Sequence, residues 1–252
     1  MESVDHLLKI IARLRAPDGC PWDREQTHQS IKPQLIEECY ELIEAIENED
    51  DAHLQEELGD VLLHLVFHAQ LASERNAFNF DQVANGICEK LIRRHPHVFG
   101  QENLPDSERV LARWHELKQR EKPERQSALE GIPPQLPALM RSQELQKKAA
   151  RVGFDWPDTG PVLDKVVEEV QELKAETSLE RRKDELGDLF FVLVNLARHW
   201  GIDAEEACRQ ANQKFEKRFR AVEATYQAKG ESMQGKPLSE LDAVWDQVKH
   251  SV

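Results

Sequence analysis

Glu168, Glu169 and Glu172 form an E-E-x-x-E group, and Glu185 with Asp188 forms E-x-x-D a little further along the chain. Residues three apart on an α-helix lie about 60° apart around its axis. Glu169 with Glu172, and Glu185 with Asp188, therefore each present two carboxylates on one face. A short break at Thr177–Ser178 lets two antiparallel helices bring the pairs together. Two apposed acidic pairs repel each other unless a cation joins them. Four carboxylates without His or Cys make a hard oxygen donor set, which favours Mg2+ or Mn2+ over Zn2+. Calcium fits the ligand type, but no EF-hand loop is present. A di-iron bundle needs two Glu-x-x-His pairs, and only Glu25-x-x-His28 has that form.

Basic and aromatic residues follow. Lys214 and Arg218 share a helix face at i, i+4, with Lys217 beside them, and Trp245 and Lys249 repeat the spacing. Either set has a plain explanation, a solvated basic face or a tryptophan packing a terminal helix. Together with a metal they suit a nucleotide polyphosphate, whose oxygens take the metal while Lys and Arg neutralise the rest. There is no G-x-x-x-x-G-K-[ST], which excludes a P-loop enzyme.

A solvated surface is the ordinary meaning of Glu at i, i+3. Repetition argues otherwise here. E-E-C-Y-E at Glu37–Glu41 matches E-E-V-Q-E at Glu168–Glu172, and E-L-G-D at Glu57–Asp60 matches E-L-G-D at Glu185–Asp188. Each E-L-G-D runs into an apolar stretch, VLLHLVFHAQLA or LFFVLVNLARHW, which places its acids near a core. Gly59 and Gly187 cost helix stability against Ala, which suggests a close approach between the acids. Lys90, Arg93 and Arg94 then correspond to Lys214, Lys217 and Arg218, and Trp114 and Lys118 to Trp245 and Lys249. The chain thus reads as two copies of one helical unit of roughly 110 residues. The counterpart acids are Glu38, Glu41, Glu57 and Asp60.

The positioning elements are read from apolar periodicity. Helices are predicted over Ser3–Arg15, Ser30–Ile46, Asp51–Glu74, Phe80–Arg94 and Ser107–Lys122. The fourth stops at His95-Pro96, since proline disfavours helix in the residue before it. Cys20-Pro21-Trp22-Asp23 reads as a loop. Pro123–Pro137 is rich in proline and reads as a linker. The second copy predicts helices over Leu139–Arg151, Pro161–Thr177, Leu179–Trp200, Asp203–Lys229 and Leu238–Val248, with a loop at Gly153–Pro157. His64, His68 and His199 lie on the apolar helices, where core or interhelical hydrogen bonding is expected. His95-Pro96-His97 reads as a helix-end loop.

The chain has 252 residues, 32% of them charged, and a formal net charge of −14. That acidity argues against nucleic-acid polymers as partners. Any phosphate ligand needs local cations or metal to offset the field. The four cysteines form no C-x-x-C pair, which predicts a reduced, cytoplasmic protein. The start is too polar for a secretory signal, and no apolar run is long enough to predict a membrane span.

The duplicated E-E-x-x-E…E-x-x-D, together with CPWDREQT, RRHPHVF, VGFDW and KFEKRF, resembles the MazG family of nucleoside triphosphate pyrophosphohydrolases over essentially the whole chain. The resemblance implies an all-α fold, a tandem repeat of two MazG-like helical domains with helical-bundle architecture. Domain limits are expected at 1–122 and 138–252, with the linker at 123–137. It implies Mg2+-dependent hydrolysis of the α–β phosphoanhydride to NMP and pyrophosphate, with broad base tolerance, in a homodimer. Matched by position, it places metal ligands on Glu169, Glu172, Glu185 and Asp188. Nucleotide contacts fall on Lys165, Glu168, Lys214, Arg218, Trp245 and Lys249, with Lys217 in the same basic group. Candidate catalytic residues are Glu168, Glu169 and Glu172, with Glu168 or Glu169 to orient the attacking water or take its proton. The second copy is expected to be the main catalytic one, because His95-Pro96 shortens the basic helix of the first. A nucleotide-sensing module with little turnover is the competing reading, and a purely structural scaffold is a third.

Overall fold

The computed structural model describes residues 2–121 and 126–249. The expected helix end at Lys122, the first linker residues 123–125 and the terminal residues 250–252 lie outside them. By packing, the chain divides into two compact units, Met1–Pro123 and Glu124–Val252. The first holds α1 (Glu2–Leu14), α2 (Pro21–Glu25), α3 (Lys32–Glu47), α4 (Asp51–Glu74), α5 (Phe80–Arg94), α6 (Pro96–Phe99) and α7 (Ser107–Arg120). The second holds α8 (Ala138–Arg151), α9 (Thr159–Ala175), α10 (Leu179–His199), α11 (Ala204–Ala228) and α12 (Leu238–Lys249). No strand occurs among the described residues. The fold is all-α, as the helical periodicity predicts.

Local chemistry sets the helix limits. The Asp50 side chain accepts from the backbone N–H groups of Ala52 and His53 and starts α4. Asn79 and Gln82 form a reciprocal capping box at α5. The Asp158, Ser178 and Asp203 side chains each accept one backbone N–H and cap α9, α10 and α11. Gly201, at φ 71°, takes the left-handed conformation that ends α10. Two expected loops differ. Cys20-Pro21-Trp22-Asp23 opens the short helix α2, because Pro21 at its first turn lacks only an N–H that would be unpaired anyway. His95-Pro96 ends α5 as expected, but Pro96 then starts the short α6.

The tightest packing in each unit is a helical hairpin, α3 on α4 and α9 on α10. Beneath the first lies a core of Ile11, Ile31, Val66, Phe67 and Leu71, to which α1 contributes. Beneath the second lie Val162, Val192 and Leu196. Val222, Tyr226, Val244 and Val248 bind α11 to α12. The apolar run of α10 is only half-submerged: Val192, Val194 and Leu196 are buried, whereas Leu186, Phe190 and Leu193 are exposed. Those three fall at i, i+4, i+7 and form a stripe on one side of the helix. The expected close approach at Gly59 and Gly187 is absent, since a Cβ at either position meets no atom within 4 Å.

Buried polar clamps fix the connections. In the first unit Arg15 bonds Glu74 through two nitrogens, donates to the carbonyls of Asp23 and Gln26, and lies over the Phe67 ring. It thereby ties the Trp22 segment to α1 and α4. In the second, Arg198 and His199 on α10 both reach Asp155 in the Gly153–Pro157 loop. Gln143, only 5% exposed, donates to the Ile202 carbonyl at 3.0 Å and accepts from the Ala204 N–H at 2.9 Å. It locks α8 to the α10–α11 turn. Gln143→Leu keeps the volume but strands both backbone groups, so it is expected to destabilise the second unit by on the order of 2 kcal/mol. Urea unfolding followed by circular dichroism checks this, and an unchanged midpoint contradicts it.

Candidate functional site

The α9–α10 hairpin brings its acids together. One carboxylate oxygen from each of Glu169, Glu172 and Glu185 lies within 4.8 Å of the others. Helix α9 supplies the first two and α10 the third, across the break that the sequence places at Thr177–Ser178. Asp188 stands outside this triad, but its charge, with those of Glu172 and Glu169, acts on Glu185. Burial chiefly, and then these like charges, raise the Glu185 pKa above the usual carboxylate range.

Glu169 is the buried member, 3% exposed. Its Oε1 lies 2.8 Å from the Lys165 ammonium, and its Oε2 is buried with no hydrogen-bond partner. A buried carboxylate oxygen without a donor carries a full desolvation cost. A hard cation would remove it, and the triad offers that cation three oxygen donors. The residues present therefore fit a divalent metal. Lys165 also bonds Glu168 at 2.9 Å, and these two carboxylates raise its pKa well above the usual lysine value. Glu168 is exposed and outside the triad.

The first unit repeats the arrangement with different surroundings. Glu38, Glu41 and Glu57 make the corresponding triad. Burial first, then Asp60 and the neighbouring glutamates, raise the pKa of Glu38. Glu57 is the buried acid here, at 4% exposed, and its Oε2 is also without a partner. Its Oε1 meets His53 at 3.1 Å. The residue matching Lys165 is Gln34, so no lysine reaches this triad from that position. The acids of E-L-G-D thus lie at the core edge only in part: Glu57 is buried and Glu185 half-buried, whereas Asp188 is exposed.

The basic group lies on α11. Lys214 and Lys217 are exposed, Arg218 is half-buried with its Nε unpaired, and none of the three forms an ion pair among the described residues. Trp245 on α12 packs on Phe215 of α11, ring centres 5.3 Å apart, and on the α11–α12 core. Lys249 is exposed at the end of α12. Within this unit no described hydrogen bond or ion pair joins these residues to the acids of α9 and α10. The hairpin thus assembles Lys165, Glu168, Glu169, Glu172 and Glu185, while Lys214, Lys217, Arg218, Trp245 and Lys249 stand on α11 and α12.

Several contacts lay beyond sequence reasoning. His28 and His68 stack face to face, with their Nδ1 atoms 2.8 Å apart. Glu121 bridges Arg93 and Arg94. Periodicity finds helix faces, but such partners are distant in sequence and no spacing rule joins them. The expected hydrogen bonds of His68 and His199 are present, but each joins its helix to a connecting segment, His68 to His28 and His199 to Asp155, rather than to another helix. His95 bonds the Leu91 carbonyl at 2.7 Å, in keeping with a helix-end role.

A family model described as the MazG nucleotide pyrophosphohydrolase domain matches residues 26–99 and 161–222, one segment in each copy of the repeat. The chain is 48% identical to the nucleoside triphosphate pyrophosphohydrolase of Escherichia coli, an alignment covering 99% of this chain and 98% of the relative. It is 46% identical to the nucleoside triphosphate pyrophosphohydrolase/pyrophosphatase MazG of Thermotoga maritima, covering 97% and 95%. A nucleoside triphosphate pyrophosphohydrolase of Mycolicibacterium smegmatis is 39% identical over 53% of this chain and 42% of its own length. With the duplicated acid triads and a matching segment around each, the chain belongs to the MazG nucleotide pyrophosphohydrolase family.

Proposed function

We propose that the chain hydrolyses nucleoside triphosphates to NMP and pyrophosphate, cutting the α–β phosphoanhydride with Mg2+ or Mn2+ and tolerating different bases. The observation that carries this reading is the acid triad of Glu169, Glu172 and Glu185, with its orphaned buried oxygen, in a chain of this family. Glu169, Glu172 and Glu185 hold the metal, with Asp188 beside them. The bound ion supplies Lewis-acid polarisation of the phosphates. Glu168, or an unligated oxygen of Glu169, orients the attacking water and takes its proton. Glu172 fixes the donor set opposite Glu185. Lys165 carries positive charge to the edge of the acids, where an oligophosphate needs it. Lys214, Lys217 and Arg218 form no ion pair among the described residues and offset charge on the leaving pyrophosphate. Trp245 and Lys249 complete that surface.

The domain limits 1–122 and 138–252, with a linker at 123–137, accord with the two repeats. Two observations favour the second copy as the main catalytic one. It has Lys165 where the first has Gln34, and its basic helix, α11, runs ten residues longer than α5. All four cysteines are free, which suits a cytoplasmic setting. No described helix is long and apolar enough to cross a membrane.

A homodimer accounts for two further features. The stripe of Leu186, Phe190 and Leu193 on α10, with Leu163 and Val167 on α9, leaves apolar side chains exposed beside the acids. Among the described residues the α11–α12 cations also form no hydrogen bond or ion pair with the acid triad of their own unit. A second copy covering the stripe would bury it and place cations across the interface. Phe190→Asp is expected to convert a dimer to monomer in light scattering. A wild-type chain that is already monomeric contradicts this part of the proposal.

Glu172→Gln is expected to abolish pyrophosphate release from any nucleoside triphosphate while leaving the circular dichroism spectrum intact; wild-type turnover sinks the assignment. Saturable binding without product in the wild type would instead assign nucleotide sensing. The raised Glu185 pKa gives a pH test. A carboxylate whose pKa is raised by folding contributes stability at low pH, lost as pH rises through the folded pKa. Without metal, Glu185→Gln should therefore melt above the wild type at pH 7, and that gain should shrink as the pH falls through the raised Glu185 pKa. The same substitution should remove most of the stabilisation that added Mg2+ gives the wild type. A metal-free Glu185→Gln chain that melts lower than the wild type contradicts the repulsion argument.

A further inference from the structure

The first unit repeats the basic group of the second, but one of its own carboxylates occupies it. Lys90, Arg93 and Arg94 on α5 correspond to Lys214, Lys217 and Arg218 on α11. The α11 cations have no ion-pair partner among the described residues. Arg93 Nε, in contrast, meets Glu121 Oε1 at 2.8 Å, and Arg94 Nε donates to Glu121 Oε2 at 3.1 Å. Arg94 also lies over the Trp114 ring at 5.4 Å, and Lys118 over the same ring at 4.7 Å. The two arginines hold the Glu121 carboxyl down to about 2, the Arg94 hydrogen bond contributing most.

A carboxylate bound by two guanidinium groups makes the contacts that two phosphate oxygens would make. Glu121 stands seven residues beyond Trp114, whose ring carries Arg94 and Lys118. We propose that Arg93, Arg94, Lys118 and Trp114 form a second oligophosphate-binding site in the first unit, closed by Glu121 acting as a built-in anion. Its ligand class is inorganic pyrophosphate or the phosphates of a nucleotide. Removing the Glu121 charge opens the site. The inference rests on the proposed phosphate role of the matching α11 cations.

Calorimetric titration of the full chain with inorganic pyrophosphate, without metal and at low ionic strength, tests both points separately. Loss of binding on Lys214→Gln with Arg218→Gln supports the role of the second unit, and no difference from wild type overturns that reading alone. In that doubly substituted background, Glu121→Gln is expected to restore saturable binding at least tenfold tighter than the background, and adding Arg94→Gln should remove it again. Unchanged binding on Glu121→Gln overturns the closed-site proposal. So does loss of helical circular dichroism without gain of binding, since that assigns the bridge to folding. Glu121→Ala, which deletes the side chain, must agree with Glu121→Gln.

Discussion

Repulsion among three carboxylates in one small volume is the constraint on which the second unit depends. Glu169, Glu172 and Glu185 bring oxygens within 4.8 Å of one another, and burial together with the charges of Glu172 and Glu169 raises the Glu185 pKa. Nothing in the triad itself favours this assembly. The hairpin of α9 and α10 enforces it through Val162, Val192 and Leu196 below, and Lys165 offsets part of it from one side. The packing energy of the hairpin thus maintains a cluster that only a cation satisfies. Such stored electrostatic strain belongs to sites that bind, and here it coincides with a buried oxygen lacking any donor.

The two copies show how the same frame diverges. Both keep the hairpin, the acid triad and a buried glutamate with an orphaned oxygen. They differ in what compensates the acids and what occupies the cations. In the second copy a lysine sits against the triad, and the α11 basic residues stay open. In the first, histidines stand beside the acids, His53 on Glu57 and His64 3.9 Å from Glu38, and Glu121 occupies the arginines. The first copy is a site with the same donors and a different electrostatic history.

Much of this was legible in the sequence because helices report themselves through periodicity and caps. Asp51–Glu74 and Phe80–Arg94 appear with the limits that their apolar spacing and His95-Pro96 dictate. The acid sets were visible because i, i+3 spacing fixes a face, and a repeat marks the spacing as meaningful. Three things were not legible. Cys20-Pro21-Trp22-Asp23 contains a proline that breaks helices in their interior but starts them at the first turn, so its role depends on position. The glycines between the acids suggested close approach, yet what a missing side chain faces is a tertiary fact. The Glu121 bridge joins residues 27 and 28 positions apart, which no local pattern encodes.

The most direct test of the central claim is product analysis with Mg2+ and each nucleoside triphosphate on two chains. One has Glu169, Glu172, Glu185 and Asp188 changed to their amides, the other Glu38, Glu41, Glu57 and Asp60. The account predicts that the first releases no NMP or pyrophosphate, whereas the second retains most of the wild-type rate. Wild-type product formation by the first chain, with its helical content intact, would contradict it.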